Sequence, residues 1–159
     1  MVPREEEVVD LVAVRARVAE SFGRQGMMTT LGAELAHVAH GRVDIRMPYS
    51  AAFTQQDGFL HAAAVAAIAD SACGYAALTV MRPGANVLTI EFKTNLLSPA
   101  GGASFVARGK VVRAGKTIVV ATAEVFARAA SGEGEKLIAT MMATMIAVEP
   151  PSGQQLNPR

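Results

Sequence analysis

Between residues 4 and 22, Val8, Leu11, Val12, Val18, Ala19 and Phe22 recur at helical spacing, with Arg15 interrupting the apolar side. That period predicts an amphipathic helix, ended by Gly23 and Gly26. From residue 33 to 47 the period drops to two. Leu35, His37 and Ala39 alternate with Glu34, Ala36 and Val38; Val43, Ile45 and Met47 alternate with Arg42, Asp44 and Arg46. Joined at His40-Gly41, these runs predict a β-hairpin, closed by Pro48. Residues 49–58 read as a polar loop.

Residues 60–81 are almost uncharged and long enough to span a bilayer. Asp70 near the middle would cost about 2.5–3.5 kcal/mol there, and Ala, Gly and Ser gain little from lipid. The segment is therefore expected to be a buried core helix, stopped by Arg82-Pro83-Gly84. Three strand-like runs follow. Leu88, Ile90, Phe92 and Leu96 alternate with polar residues; after a turn at 98–102, residues 105–112 and 117–127 form a second hairpin around Arg113-Ala114-Gly115-Lys116. A turn at 131–135 leads to a last strand at 136–148. Residues 1–30 are thus a helical lead-in, 31–148 the main domain, and 149–159, with three prolines, a flexible tail.

A helix that is apolar nearly all round must be buried all round. A curved antiparallel sheet wrapped around a long central helix, an α+β fold, achieves this. Such a sheet keeps open edges, so pairing with a second subunit is expected. Composition narrows the function. In 159 residues there are 15 Lys plus Arg against 14 Asp plus Glu, a net charge of +1, which argues against nucleic acid. The single cysteine excludes an internal disulfide and a cysteine-based zinc cage. It suits a cytoplasmic setting, and the acidic N-terminus is unlike a signal peptide.

Two features could carry chemistry. On a helical wheel Asp70 shares its side with Ala63, Ala66, Ala67, Cys73, Gly74 and Ala77, away from Val65, Ile68 and Tyr75. A desolvated carboxylate there would be a general base or nucleophile; the alternative is a buried structural acceptor or a water-facing group. The helix entrance at 55–62 offers free backbone amides able to polarise a carbonyl; the alternative is an ordinary helix start capped by Asp57.

The stretch QQDGFLHAAAVAAIAD, followed by VLTIEFKTNLLSPA and VVRAGKTIVV, resembles the hotdog-fold acyl-CoA thioesterases of the PaaI-like (phenylacetic acid degradation) type. The likeness covers roughly residues 32–148. His61 and Asp70 keep the family's nine-residue separation. The resemblance implies that Asp70 activates water or attacks the thioester carbonyl. Gln55 stands where many members have an Asn that orients water or the carbonyl. Ala62 stands at the glycine whose amide polarises the thioester oxygen. Thr89 lies near a hydroxyl residue that helps hold the water, and His61 shapes the loop. It also implies a homodimer, assembling to a homotetramer, with Asp70 and Gln55 serving one site from different subunits. The family's His-Gly-Gly has become His61-Ala62-Ala63, where a methyl narrows the approach.

The expected activity is hydrolysis of an acyl-CoA, with no metal or other cofactor. Arg113, Lys116 and Arg82 are candidates for the coenzyme A phosphates. A hotdog hydratase or dehydratase, using His61 and Asp70 as acid and base, and a non-catalytic acyl-CoA-binding protein are the alternatives. Cys73 reads as a small buried side chain, His37 and His40 as non-ligands, and Met141, Met142 and Met145 as strand packing.

Overall fold

The computed structural model describes residues 10–149. The expected helix turns at 4–9 and the tail at 150–159 lie outside the described residues. Helix α1 (Leu11–Gly23) starts at Asp10, whose carboxylate accepts from the Val12 and Ala13 N–H groups. Gly26 does not end it but opens a second short helix, α2 (Gly26–Thr30). Strands β1 (Glu34–Ala39) and β2 (Arg42–Pro48) form the expected hairpin. A 3-10 turn at Ala51–Phe53 falls inside the expected polar loop. Helix α3 (Ala62–Leu78) is followed by β3 (Asn86–Leu96), β4 (Ser104–Ala114), β5 (Ile118–Arg128) and β6 (Glu135–Val148). The antiparallel sheet runs β1-β2-β4-β5-β6-β3, and α3 packs against five of its six strands, β2 to β6.

Alanine content explains how close that packing is. Val65, Ile68, Ala69, Ala72, Cys73 and Ala76 are fully buried in one cluster with Val43, Ile45, Phe105, Ala123 and Met145. The helix backbone sits almost on β4. A Cβ added at Gly109 would collide with the carbonyl of Ala72 and lie 2.9 Å from the Cys73 nitrogen. These are backbone atoms that no rotamer change can move. Gly109→Ala should therefore lose about 3 kcal/mol or more in urea unfolding. Gly23→Ala, with nothing within 4 Å, is the control that should not.

The lead-in docks by a different route from the one its periodicity implies. Of the apolar positions in α1 only Val18 is fully buried, while Leu11 and Val12 face solvent. Arg17 instead turns inward and donates to the carbonyls of Leu78, Met81 and Arg82. It thereby ties α1 to the end of α3 and the turn after it, where the Leu78 and Arg82 carbonyls also accept from the Met81 and Ala85 N–H groups. Phe22 packs on Tyr75 with ring centroids 5.7 Å apart. A bulge between Leu35 and His37 breaks the strict alternation expected in β1.

The two sheet edges differ. The β1 edge is screened by α1, where Arg15 donates to the Val38 carbonyl at 3.1 Å. Among the described residues β3 pairs only with β6. It exposes Leu88 (58%), Ile90 (53%), Phe92 (47%) and Leu96 (57%). No helix among the described residues is long and apolar enough to cross a membrane.

Candidate active site

Asp70 projects from the middle of α3 toward β3. Thr89 donates to its Oδ1 at 2.8 Å. A bulge between Thr89 and Glu91 sets this contact. Thr89 stands opposite Met145 and Phe92 opposite Ala143, both buried under the helix, so Thr89 and Phe92 share the α3-facing side. Burial pushes the Asp70 carboxyl up from its ordinary range, and the Thr89 hydroxyl holds it partly back. The carboxylate is thus a stronger base than a solvated one, and it keeps one oxygen that Thr89 does not touch. The same burial, with the Asp70 charge beside it, pushes the Cys73 thiol up to about 12. Cys73 is a thiol at neutral pH and no nucleophile.

Asp70 and Thr89 line a groove of about 520 Å³, with Ser71, Gly74, Tyr75 and Leu78 of α3 on one wall. Asn86, Val87 and Leu88 form another wall, and Ser21, Arg24 and Gln25 of the lead-in a third. Gln25 donates to the Tyr75 hydroxyl at 2.9 Å and Ser71 reaches Gln25 at 3.4 Å. Sequence reading missed Arg24 and Gln25. They sit at the break between α1 and α2, where no periodicity speaks, and only tertiary packing carries them to Asp70.

The start of α3 is built differently from the simplest expectation. Asp57 is not its cap. Residues 55–59 are consumed by a tight turn: Gln55 N–H donates to the Phe59 carbonyl at 2.8 Å, a Thr54–Leu60 bridge closes it, and Gly58 takes φ +81°. The cap is His61, whose Nδ1 accepts from the Ala63 N–H at 2.9 Å. The Ala64 and Val65 N–H groups turn to the His61 carbonyl. The exposed Ala62 N–H finds no acceptor among the described residues. It is the amide at this helix end left to meet a ligand.

Gln55 and Ala62 line a second cavity of about 560 Å³, with Phe59, Leu96, Leu97 and Pro99. The Gln55 side-chain oxygen accepts from the Asp57 N–H and its amide group faces the Asp57 carboxylate. Within one chain, then, the structure brings Asp70 to Thr89 and Gln55 and Ala62 to one cavity, with His61 as the cap beside Ala62, but leaves the two groups apart. Eight residues of helix separate Ala62 from Asp70, about 12 Å of axial rise.

The basic candidates lie elsewhere. Arg82 pairs with Glu149 and its carbonyl accepts from Arg17. Arg113 and Lys116 are exposed around the β4–β5 turn. None of the three lines either cavity. Among the described residues no group of three or more His, Cys, Asp or Glu side chains could hold a metal ion.

A long helix clasped by a curved antiparallel sheet, with a desolvated carboxylate on that helix, makes this a hotdog protein. The chain belongs to the thioesterase superfamily, whose family model matches residues 57–130. It is 50% identical to a thioesterase family protein of Silicibacter pomeroyi of known structure, over 86% of this chain and 99% of that one, with a TM-score of 0.83. It is 34% identical over 94 residues to a Saccharolobus solfataricus protein whose name provisionally makes it an esterase. That match spans 59% of this chain and 66% of the relative. The E. coli PaaI protein, from the phenylacetic acid degradation operon, shares the fold at 17% identity. Its TM-score is 0.75, over 87% of this chain and 96% of PaaI. These relationships support thioester hydrolysis in general terms.

Proposed function

We propose that the protein hydrolyses acyl-CoA thioesters at a site shared by two copies of the chain. The observation that carries this is the split between the cavities. Groups that touch one reacting carbonyl stand about 3–3.5 Å from it, and Ala62 and Asp70 of one chain are too far apart for that. The Asp70 groove opens at the first end of β3, at residues 86–89, and the Ala62 cavity at its last end, at residues 96–98. Two β3 edges joined antiparallel about a twofold axis lay the first end of one beside the last end of the other. Asp70 of one copy then faces Ala62 of its partner. The exposed apolar side chains of β3 supply the burial for that junction.

In this reading the Ala62 N–H polarises the thioester carbonyl. Asp70 takes a proton from a water that the Thr89 oxygen also holds. The water oxygen attacks the carbonyl carbon, and the charge that develops on the carbonyl oxygen meets the Ala62 N–H. The C–S bond breaks and the thiolate recovers the proton from Asp70. Direct attack by the carboxylate, followed by hydrolysis of the anhydride, uses the same groups. The Gln55 amide orients the acyl carbonyl after leaving Asp57, and His61 holds the helix entrance. Arg113 and Lys116 are placed outside both cavities, so they would reach only the distal phosphates of coenzyme A; Arg82 would have to leave Glu149. Dimers would pair to a tetramer, in the cytoplasm.

A thiol-trapping assay over short, branched, aromatic and long-chain acyl-CoAs tests the reading. Thiol release with at least one of them is expected. Loss of the conjugated double bond of an enoyl thioester without thiol release would make the protein a hydratase, and tight binding without turnover a sensor.

A further inference from the structure

The turn before α3 grips one side chain by both ends. Gln55 Oε1 accepts from the Asp57 N–H, and Gln55 Nε2 donates to Asp57 Oδ2 at 3.4 Å. A backbone N–H only donates and an ionised carboxylate only accepts, so these partners fix which end of the amide points where. The backbone of the turn is held by other bonds. Gln55 N–H donates to the Phe59 carbonyl at 2.8 Å, Gly58 N–H to the Gln55 carbonyl at 3.1 Å, and the Tyr49 hydroxyl to the Gly58 carbonyl at 3.1 Å. The Asp57 carboxylate contributes to none of these. Its partners among the described residues are the side-chain amides of Gln55 and Gln56, and no basic side chain pairs with it.

Gln55 and Asp57 both line the Ala62 cavity. The reaction proposed above needs the Gln55 amide on an acyl carbonyl there. A neutral carbonyl is a weaker acceptor than a carboxylate. The two compete for one amide, and the charged group, two residues along the chain, holds it while the cavity is empty.

Resting on the acyl-CoA reading above, we propose that Asp57 is a latch on Gln55, a positioning residue whose carboxylate keeps the amide parked until an acyl carbonyl displaces it. Affinity for the carbonyl is set by that competition, so loosening the latch tightens binding. The effect passes wholly through Gln55.

The test is a double-mutant cycle read by calorimetry. Two ligands are titrated: free coenzyme A, and the ketone analogue of the acyl-CoA that the parent hydrolyses fastest, with CH2 in place of the thioester sulfur. The analogue keeps the carbonyl and releases no thiol. Asp57→Ala should bind the analogue about three- to tenfold more tightly than the parent. Asp57→Asn, which keeps the shape and a weaker, neutral acceptor, should show a smaller gain. Neither should change the affinity for free coenzyme A, which has no acyl carbonyl. In turnover, Asp57→Ala should lower KM by a similar factor without lowering kcat. On a Gln55→Ala background, Asp57→Ala should change nothing. The same gain on that background, or with free coenzyme A, overturns the proposal, because the carboxylate would then merely repel an anionic ligand. Unchanged or weaker binding of the analogue by Asp57→Ala and Asp57→Asn also overturns it; a lowered melting temperature beside the loss would show a carboxylate that shapes the turn. A parent that releases no thiol from any acyl-CoA removes the hydrolase reading, and this inference with it.

Discussion

Asp70→Asn should lower thioester hydrolysis by about 10²–10⁴-fold while raising the melting temperature at neutral pH. The two effects have one origin. Asn keeps the shape of the side chain and still accepts from Thr89, as Asp70 Oδ1 does, but cannot take a proton from water. The folded chain holds the Asp70 proton more tightly than the unfolded chain, because burial has raised the carboxyl above the ordinary 3.8. The stability associated with the protonated form is therefore fully present below 3.8. It is lost as pH rises through the higher folded value. Above the folded value the parent carries this penalty of ionisation and the uncharged variant does not. The gain in melting temperature should shrink toward zero as the pH is lowered past that window. A variant with parental turnover would make Asp70 a structural acceptor only.

Ala62→Pro should cost about 10²–10³ in kcat with little change in stability. Proline is usually a blunt tool in a helix, but the first helical position is where it is best tolerated. Ala62 is that position. His61 before it has φ −62° and ψ 140°, the extended conformation that a following proline requires. The substitution deletes the N–H that finds no acceptor among the described residues and leaves the His61–Ala63 cap in place. Circular dichroism and melting temperature should match the parent while hydrolysis collapses. Parental rates would place carbonyl polarisation elsewhere.

Much of the frame was legible in the residue pattern. The apolar run around Asp70, long enough for a membrane span, read as a buried helix because of that carboxylate and its small neighbours, and the period-two runs with Gly-containing turns pointed to both hairpins. Local signals failed where tertiary contacts decide. The short helix α2 has no periodicity of its own. The helix start moved from the expected Asp57 cap to His61 because the Thr54–Leu60 bridge spends the intervening residues on a turn. In α1 the inward side is fixed by Arg17 reaching the end of α3, an arrangement that no hydropathy pattern encodes. The site was half legible. The wheel isolated Asp70 among small residues, but its contact with Thr89 spans a strand bulge, and Gln25 and Arg24 arrive from another element.

The shared site is tested most directly by mixing two inactive chains. Asp70→Asn and Ala62→Pro subunits, unfolded together and refolded, form mixed dimers. Each mixed dimer would hold one site with both groups native, Asp70 from one chain and Ala62 from the other. The account predicts that hydrolysis reappears in the mixture and is absent from either variant refolded alone. Mixed dimers that form, as shown by differential tagging, yet stay as inactive as their parents would contradict it.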